Sequence, residues 1–120
     1  MELRKAPRVY ADTRGMSRAD WLRARRAGIG GSDAAGILGL SPYASPLSVW
    51  ADKNCEDMPQ DEKENEAIWL GNVLEDHVAR RYAQDAGVHV VRCNMMLQHP
   101  EYPWMLANID RRVVGRRVGI

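Results

Sequence analysis

At 120 residues, with 17 basic against 16 acidic side chains and a formal net charge of +1, the chain has room for one small domain. It lacks the global basic field that would by itself mark a nucleic-acid binder. A hydrophobic share of 45% allows a modest core, and no apolar run is long enough to span a membrane, so no membrane partner is expected. The N-terminus is charged and has no apolar signal segment, and the two cysteines, Cys55 and Cys93, have no metal-type neighbours; both observations predict reduced thiols in a cytoplasmic protein.

Residues 1–16 read as a basic, irregular arm. Ser17 and Asp20 then have the spacing of a helix cap and its third residue, and Trp21, Leu22 and Ala24 give the helix that follows an apolar side. Arg25 falls one turn after Trp21, on the same face, and Gly28 is expected to end the helix. The stretch from Arg25 to Ala35 organises the rest. A basic helix end runs into Gly30 and Gly31, and Ser32 is expected to cap a short helix from Asp33 to Leu38. Backbone N–H groups at a helix start, glycines that admit a ligand to the main chain and guanidinium forks from Arg25 and Arg26 together make an anion pocket. A plain helix corner has the same letters.

Ser45-Pro46 opens a third helix, with serine at the cap and proline at the first helical position, and it should end near Lys53 or Asn54. Residues 55–65 are acidic, contain Pro59 and predict a solvated loop. Asp61-Glu62-Lys63 within it matches an acid-x-lysine nuclease pattern by letter but has no strand character. The longest helix is predicted over residues 66–86, ended by Gly87. Leu70, Val73, Leu74, His77, Val78, Arg81 and Tyr82 repeat at three- and four-residue steps as a buried stripe, with Gly71 and Glu75 on its flank. After Gly87 the period changes. Strands are expected at 88–92, 94–98 and 106–111, and a further one begins at Arg117. The chain stops inside an apolar segment, which predicts truncation.

Two acids from distant segments, Glu75 on the long helix and Asp110 near a strand end, are the oxygen donors a hard divalent cation would use if they converge. His77 reads as a packed core residue, and His89 and His99 lack partners at metal spacing. Met95, Met96 and Met105 read as core fillers. The four tryptophans, Trp21, Trp50, Trp69 and Trp104, have rings able to stack on bases, but in a chain without phenylalanine they read as core.

Four segments, taken in order, resemble the YqaJ-like viral recombinase family, relatives of phage lambda-type exonuclease within the PD-(D/E)XK nuclease superfamily. They are Arg25 with Ile29-Gly30-Gly31-Ser32-Asp33-Ala34-Ala35, Leu40-Ser41-Pro42-Tyr43 with Ser45-Pro46-Leu47 and Trp50, Gly71-Asn72-Val73-Leu74-Glu75, and Ala107-Asn108-Ile109-Asp110-Arg111. The ordered set covers roughly residues 17–120 and is far more specific than any one piece. The resemblance implies an α+β (α/β) fold: a restriction-endonuclease-like core, with N-terminal helices and then a small mixed sheet. Residues 17–120 would be the N-terminal part of an exonuclease domain. It implies that Arg25, Gly31 and Ser32 grip the 5′-phosphate of a DNA end, and that Glu75 and Asp110 are catalytic and hold Mg²⁺ or Mn²⁺. The activity implied is 5′–3′ hydrolysis of duplex DNA ends in phage recombination, inside a bacterial or phage-infected cell. A single-strand annealing protein is the implied partner, and a homotrimer is known in the family. The chain departs from the family at one point. The Glu-x-Lys of the next strand is missing, since no Glu and no Lys follows Asp110. Metal would therefore bind weakly if at all, and the chain as given is expected to be a poor or inactive nuclease. The alternative is a catalytically inactive DNA-end or 5′-phosphate-binding module, or a phage remnant.

Overall fold

The computed structural model describes residues 5–55 and 66–120 and gives an α+β fold. In chain order it holds β1 (Arg8–Asp12), α1 (Arg18–Arg25), α2 (Gly31–Ile37), α3 (Pro46–Asn54), α4 (Glu66–Ala86), β2 (Val90–Gln98) and β3 (Leu106–Val113). The strands form one small sheet in the order β1-β2-β3. The acidic stretch 56–65, and with it Asp61-Glu62-Lys63, lies outside the described residues. Residues 5–55 with 94–109 form one compact unit, and residues 66–93 with 110–120 form the other.

In the first unit the helix starts follow local chemistry. Ser17 Oγ accepts from Asp20 N at 3.1 Å, and Ser45 and Ser48 cap each other reciprocally at the start of α3 with Pro46 behind them. Residues 8–12 are not part of an irregular arm. They pair antiparallel with β2, Val9 opposite Leu97 and Ala11 opposite Met96, with a bulge at Tyr10. The partner strand supplies the order that the local sequence lacks. Val49, Met96 and Leu106 are the buried apolar side chains here. Gly36 lets α2 lie against α3, because a Cβ at that position would stand 2.9 Å from Val49 Cγ2 and 3.0 Å from Ala44 Cβ.

Gly28 serves the same purpose more strictly. The helix α1 ends at Arg25 rather than at Gly28, and Ile29 bridges to Met105, with Ile29 N donating to Trp104 O at 2.7 Å. A Cβ on Gly28 would lie 2.5 Å from Trp104 O, which is backbone, and 2.9 Å from Leu106 Cγ. Gly28→Ala is therefore expected to cost about 2 kcal/mol, the range of core overpacking. A urea melt with the midpoint unmoved would contradict this.

In the second unit α4 closes at Gly87, whose φ of 61° is the left-handed conformation that glycine supplies, and Val88 N donates to Ala83 O at 3.0 Å. The predicted buried stripe of α4 is open instead. Leu70, Val73, Leu74, Val78 and Tyr82 are all more than 40% exposed and His77 is exposed, whereas Ala79 is buried. Nothing among the described residues covers that face. Val113 is the other buried apolar residue, and the turn at Gly115 (φ 77°) returns the chain to an Arg112–Gly119 bridge, so the strand expected from Arg117 is a single bridge.

The strands expected at 88–92 and 94–98 are one element, β2, and Asn94 within it has a φ of 48°. Met96 is fully buried, but Met105 is 40% exposed. Trp50, Trp69 and Trp104 are each more than half exposed, so these tryptophans are not core.

Candidate functional site

The glycine corner of the first unit is built around Arg25. Its guanidinium carbon lies 4.8 Å from the centre of the Trp21 ring, the stacking that their one-turn spacing predicts. Its NH2 donates to Ser32 Oγ at 2.8 Å and stands 3.9 Å from Asp33 Oδ1. The side chain keeps a quarter of its surface exposed. A planar fork held by a ring and a hydroxyl, with solvent access, is suited to an anion such as a phosphate.

The helix that follows starts earlier than its letters suggest. Gly30, not Ser32, is the N-cap of α2, because Asp33 N donates to Gly30 O at 3.1 Å and Gly30 N donates to Asp33 Oδ2 at 2.9 Å. Ser32 thus sits inside the first turn, its hydroxyl free for Arg25. Neither Gly30 nor Gly31 has positive φ, and a Cβ on Gly31 would meet open space. These glycines are not demanded by a tight turn; Gly31 leaves the corner uncovered.

Behind Arg25 lies an ion pair that no local pattern signals. Lys53, from the last turn of α3, pairs with Asp33 Oδ2 at 3.0 Å and donates to Arg25 O at 3.1 Å. Both side chains are only 11% exposed. Burial alone would raise the Asp33 carboxyl, but the Gly30 N–H, the Lys53 ammonium and the Arg25 guanidinium together hold it below the ordinary aspartate range.

The second unit holds a separate cluster. Arg111, 11% exposed, reaches from β3 to α4, where it contacts Asp76 and lies 3.3 Å from Glu75 Oε1. Arg92 on β2 pairs with Asp76 at 3.0 Å. Hydrogen bonds from Arg111 and then Arg92 hold the Asp76 carboxyl low. Asp110 behaves oppositely. Burial and then the negative charge of Glu75 raise its carboxyl above the ordinary range, against a smaller lowering by Arg111. The helix acid and the strand acid thus repel, and Arg111 pairs with the helix acid. Among the described residues no group of three or more His, Cys, Asp or Glu is placed to hold a metal ion.

The like-charge repulsion is measurable. Glu75→Gln is expected to lower the Asp110 pKa toward the usual ~3.9, readable by carbon-detected carboxyl titration. The folded chain holds this proton more tightly than the unfolded one. Asp110 therefore makes stability decline as pH rises from the ordinary value through the raised one, and the variant flattens that slope. An unchanged Asp110 titration would remove Glu75 as a cause.

Arg25, Gly31 and Ser32 lie in the first unit, and Glu75 and Asp110 in the second. Local reading missed Asp33, Lys53, Asp76 and Arg111. Of these, Asp33 and Arg111 stand in segments already singled out and Asp76 directly follows Glu75, whereas Lys53 had no signal.

The YqaJ-like viral recombinase domain matches residues 20–119. The chain is also similar to a Bacillus subtilis (strain 168) protein named Uncharacterized protein YqaJ, with 44% identity over 113 residues. That alignment covers 94% of this chain and 35% of the relative, so the chain spans about a third of the relative's length. No solved structure matches. The chain belongs to the YqaJ-like viral recombinase domain family, and its helices and small sheet are the α+β architecture of that family. No helix among the described residues is long and apolar enough to cross a membrane.

Proposed function

We propose that this chain binds the 5′-phosphorylated end of duplex DNA without hydrolysing it. The observation that carries the reading is the set of contacts on Arg25: stacked on Trp21, bonded to Ser32, and backed through its own carbonyl by the buried Lys53–Asp33 pair. A guanidinium so fixed loses little further freedom when a phosphate arrives. Fluorescence anisotropy with duplexes differing only in a 5′-phosphate or 5′-hydroxyl tests it, and about tenfold tighter binding of the phosphorylated end is expected from one charge-assisted contact. Equal binding of both ends would overturn the reading.

The second reading, a metal-dependent 5′–3′ exonuclease of the phage recombination type, has the Glu75–Asp110 pair in its favour. The donor chemistry fits Mg²⁺ or Mn²⁺, which Glu75 and Asp110 would hold, and such an ion supplies water activation and charge neutralisation at a phosphodiester. Against it, Arg111 lies 3.3 Å from Glu75 Oε1 and competes for that carboxylate, and among the described residues no third His, Cys, Asp or Glu joins the pair. Mg²⁺-dependent release of nucleotides by this chain would favour the exonuclease.

A further inference from the structure

The first unit contains a cavity of about 350 Å³ that the phosphate corner does not use. It opens where α2 packs on α3. Ile29, Ile37, Val49 and Trp50 form its apolar walls, and Arg26 and Lys53 line it as well. Trp50 is 59% exposed, an unusual surplus for an indole beside a pocket. Arg26 Nε is shielded from solvent and has no hydrogen-bond partner among the described residues. A buried donor of this kind is costly until something accepts from it.

We infer that this cavity receives the terminal nucleobase of a DNA end, with the base flat against Trp50 and a ring or carbonyl acceptor facing Arg26. The inference rests on the phosphate reading of Arg25 and extends it to the adjoining nucleotide.

Three observations favour a base over another occupant. The volume is at the small end of ligand sites, a size suited to one base with its sugar. The lining joins a planar aromatic face to cationic groups, the combination that stacks bases without reading sequence. The cavity also adjoins the anion corner. Lys53 lines it and donates to Arg25 O, and Arg25 and Arg26 are consecutive residues. A 5′-phosphate and its own base are the two parts of one ligand that would fill both. The terminal base must then leave its pair, so a frayed or mismatched end should bind better than a closed one.

The test uses 5′-phosphorylated duplexes whose terminal 5′ nucleotide is left unpaired, so that none has a pair to break, in three forms: a normal terminal nucleotide, 2-aminopurine at that position, and an abasic residue there. With the wild-type chain, binding should quench the 2-aminopurine emission, and the abasic end should bind about tenfold more weakly than the normal one. Trp50→Ala should abolish both the quenching and the abasic penalty, and Trp50→Phe should retain part of each. Trp69→Ala, on α4, should leave both intact. The comparison of the three duplexes on wild-type protein needs no variant, so it holds even if Trp50→Ala fails to fold. Equal affinity for normal and abasic ends, with the preference for a 5′-phosphate retained, would overturn the base pocket and leave the phosphate reading standing. Loss of the phosphate preference with the abasic penalty retained would overturn the phosphate reading instead. Dissociation of an oligomer by Trp50→Ala, with no change in DNA binding, would assign the cavity to self-association and overturn the inference.

Discussion

Lys53→Met is expected to destabilise the chain by about 3 kcal/mol, the lower end of the cost of breaking a buried ion pair. The lower end applies because Asp33 would keep the Gly30 N–H and the Arg25 guanidinium at 3.9 Å. On a domain of this size the loss should appear as a melting point about 10 °C lower. Asp33→Asn with Lys53→Met removes both charges together and should cost clearly less than the single change, since no buried charge is stranded. The pH dependence follows from the depressed Asp33 carboxyl. Its contribution is fully present above the unfolded value of ~3.9 and is lost as pH falls through the lower folded value. The gap between wild type and Lys53→Met should therefore narrow in acid. A gap that is the same at pH 3 and pH 7 would mean that the pair is not the source.

Arg25→Ala is expected to weaken binding of a 5′-phosphorylated duplex end by about thirtyfold, about 2 kcal/mol, as befits loss of a hydrogen bond to a charged group. Binding of the 5′-hydroxyl end should fall by only about threefold, because diffuse attraction to the backbone is all that is lost there, and the two ends should then bind alike. Arg25→Lys separates charge from shape. The ammonium keeps the charge but cannot donate to Ser32 and a phosphate from one rigid plane, and it stacks less well on Trp21. It should recover only part of the affinity, with a steeper dependence on salt. Full recovery with Lys would show that Arg25 acts as a point charge and that its contacts to Trp21 and Ser32 are incidental.

Legibility in the sequence was uneven, for physical reasons. Helix starts at Ser17 and Ser45 and the close of α4 at Gly87 are set by residues within one turn, so their letters suffice. The Trp21–Arg25 stack is likewise one turn apart. β1 was hidden because five residues with two charges become a strand only against β2. Ser32 looked like a cap, but Asp33 reaches back to Gly30 and moves the helix start. The Asp33–Lys53 brace joins residues twenty positions apart on different helices, and no period links them. The open face of α4 shows the opposite failure. Its apolar spacing predicts burial, but spacing cannot say whether a partner surface is present.

Binding of a phosphorylated end without turnover can be read in one titration followed over time. A duplex labelled on the strand that bears the 5′-phosphate is mixed with the chain in Mg²⁺ and its anisotropy is recorded for several hours. The anisotropy should rise to a plateau, hold there, and be unchanged by EDTA. A rise that decays to the low value of free nucleotides, and that EDTA preserves, would contradict binding without turnover.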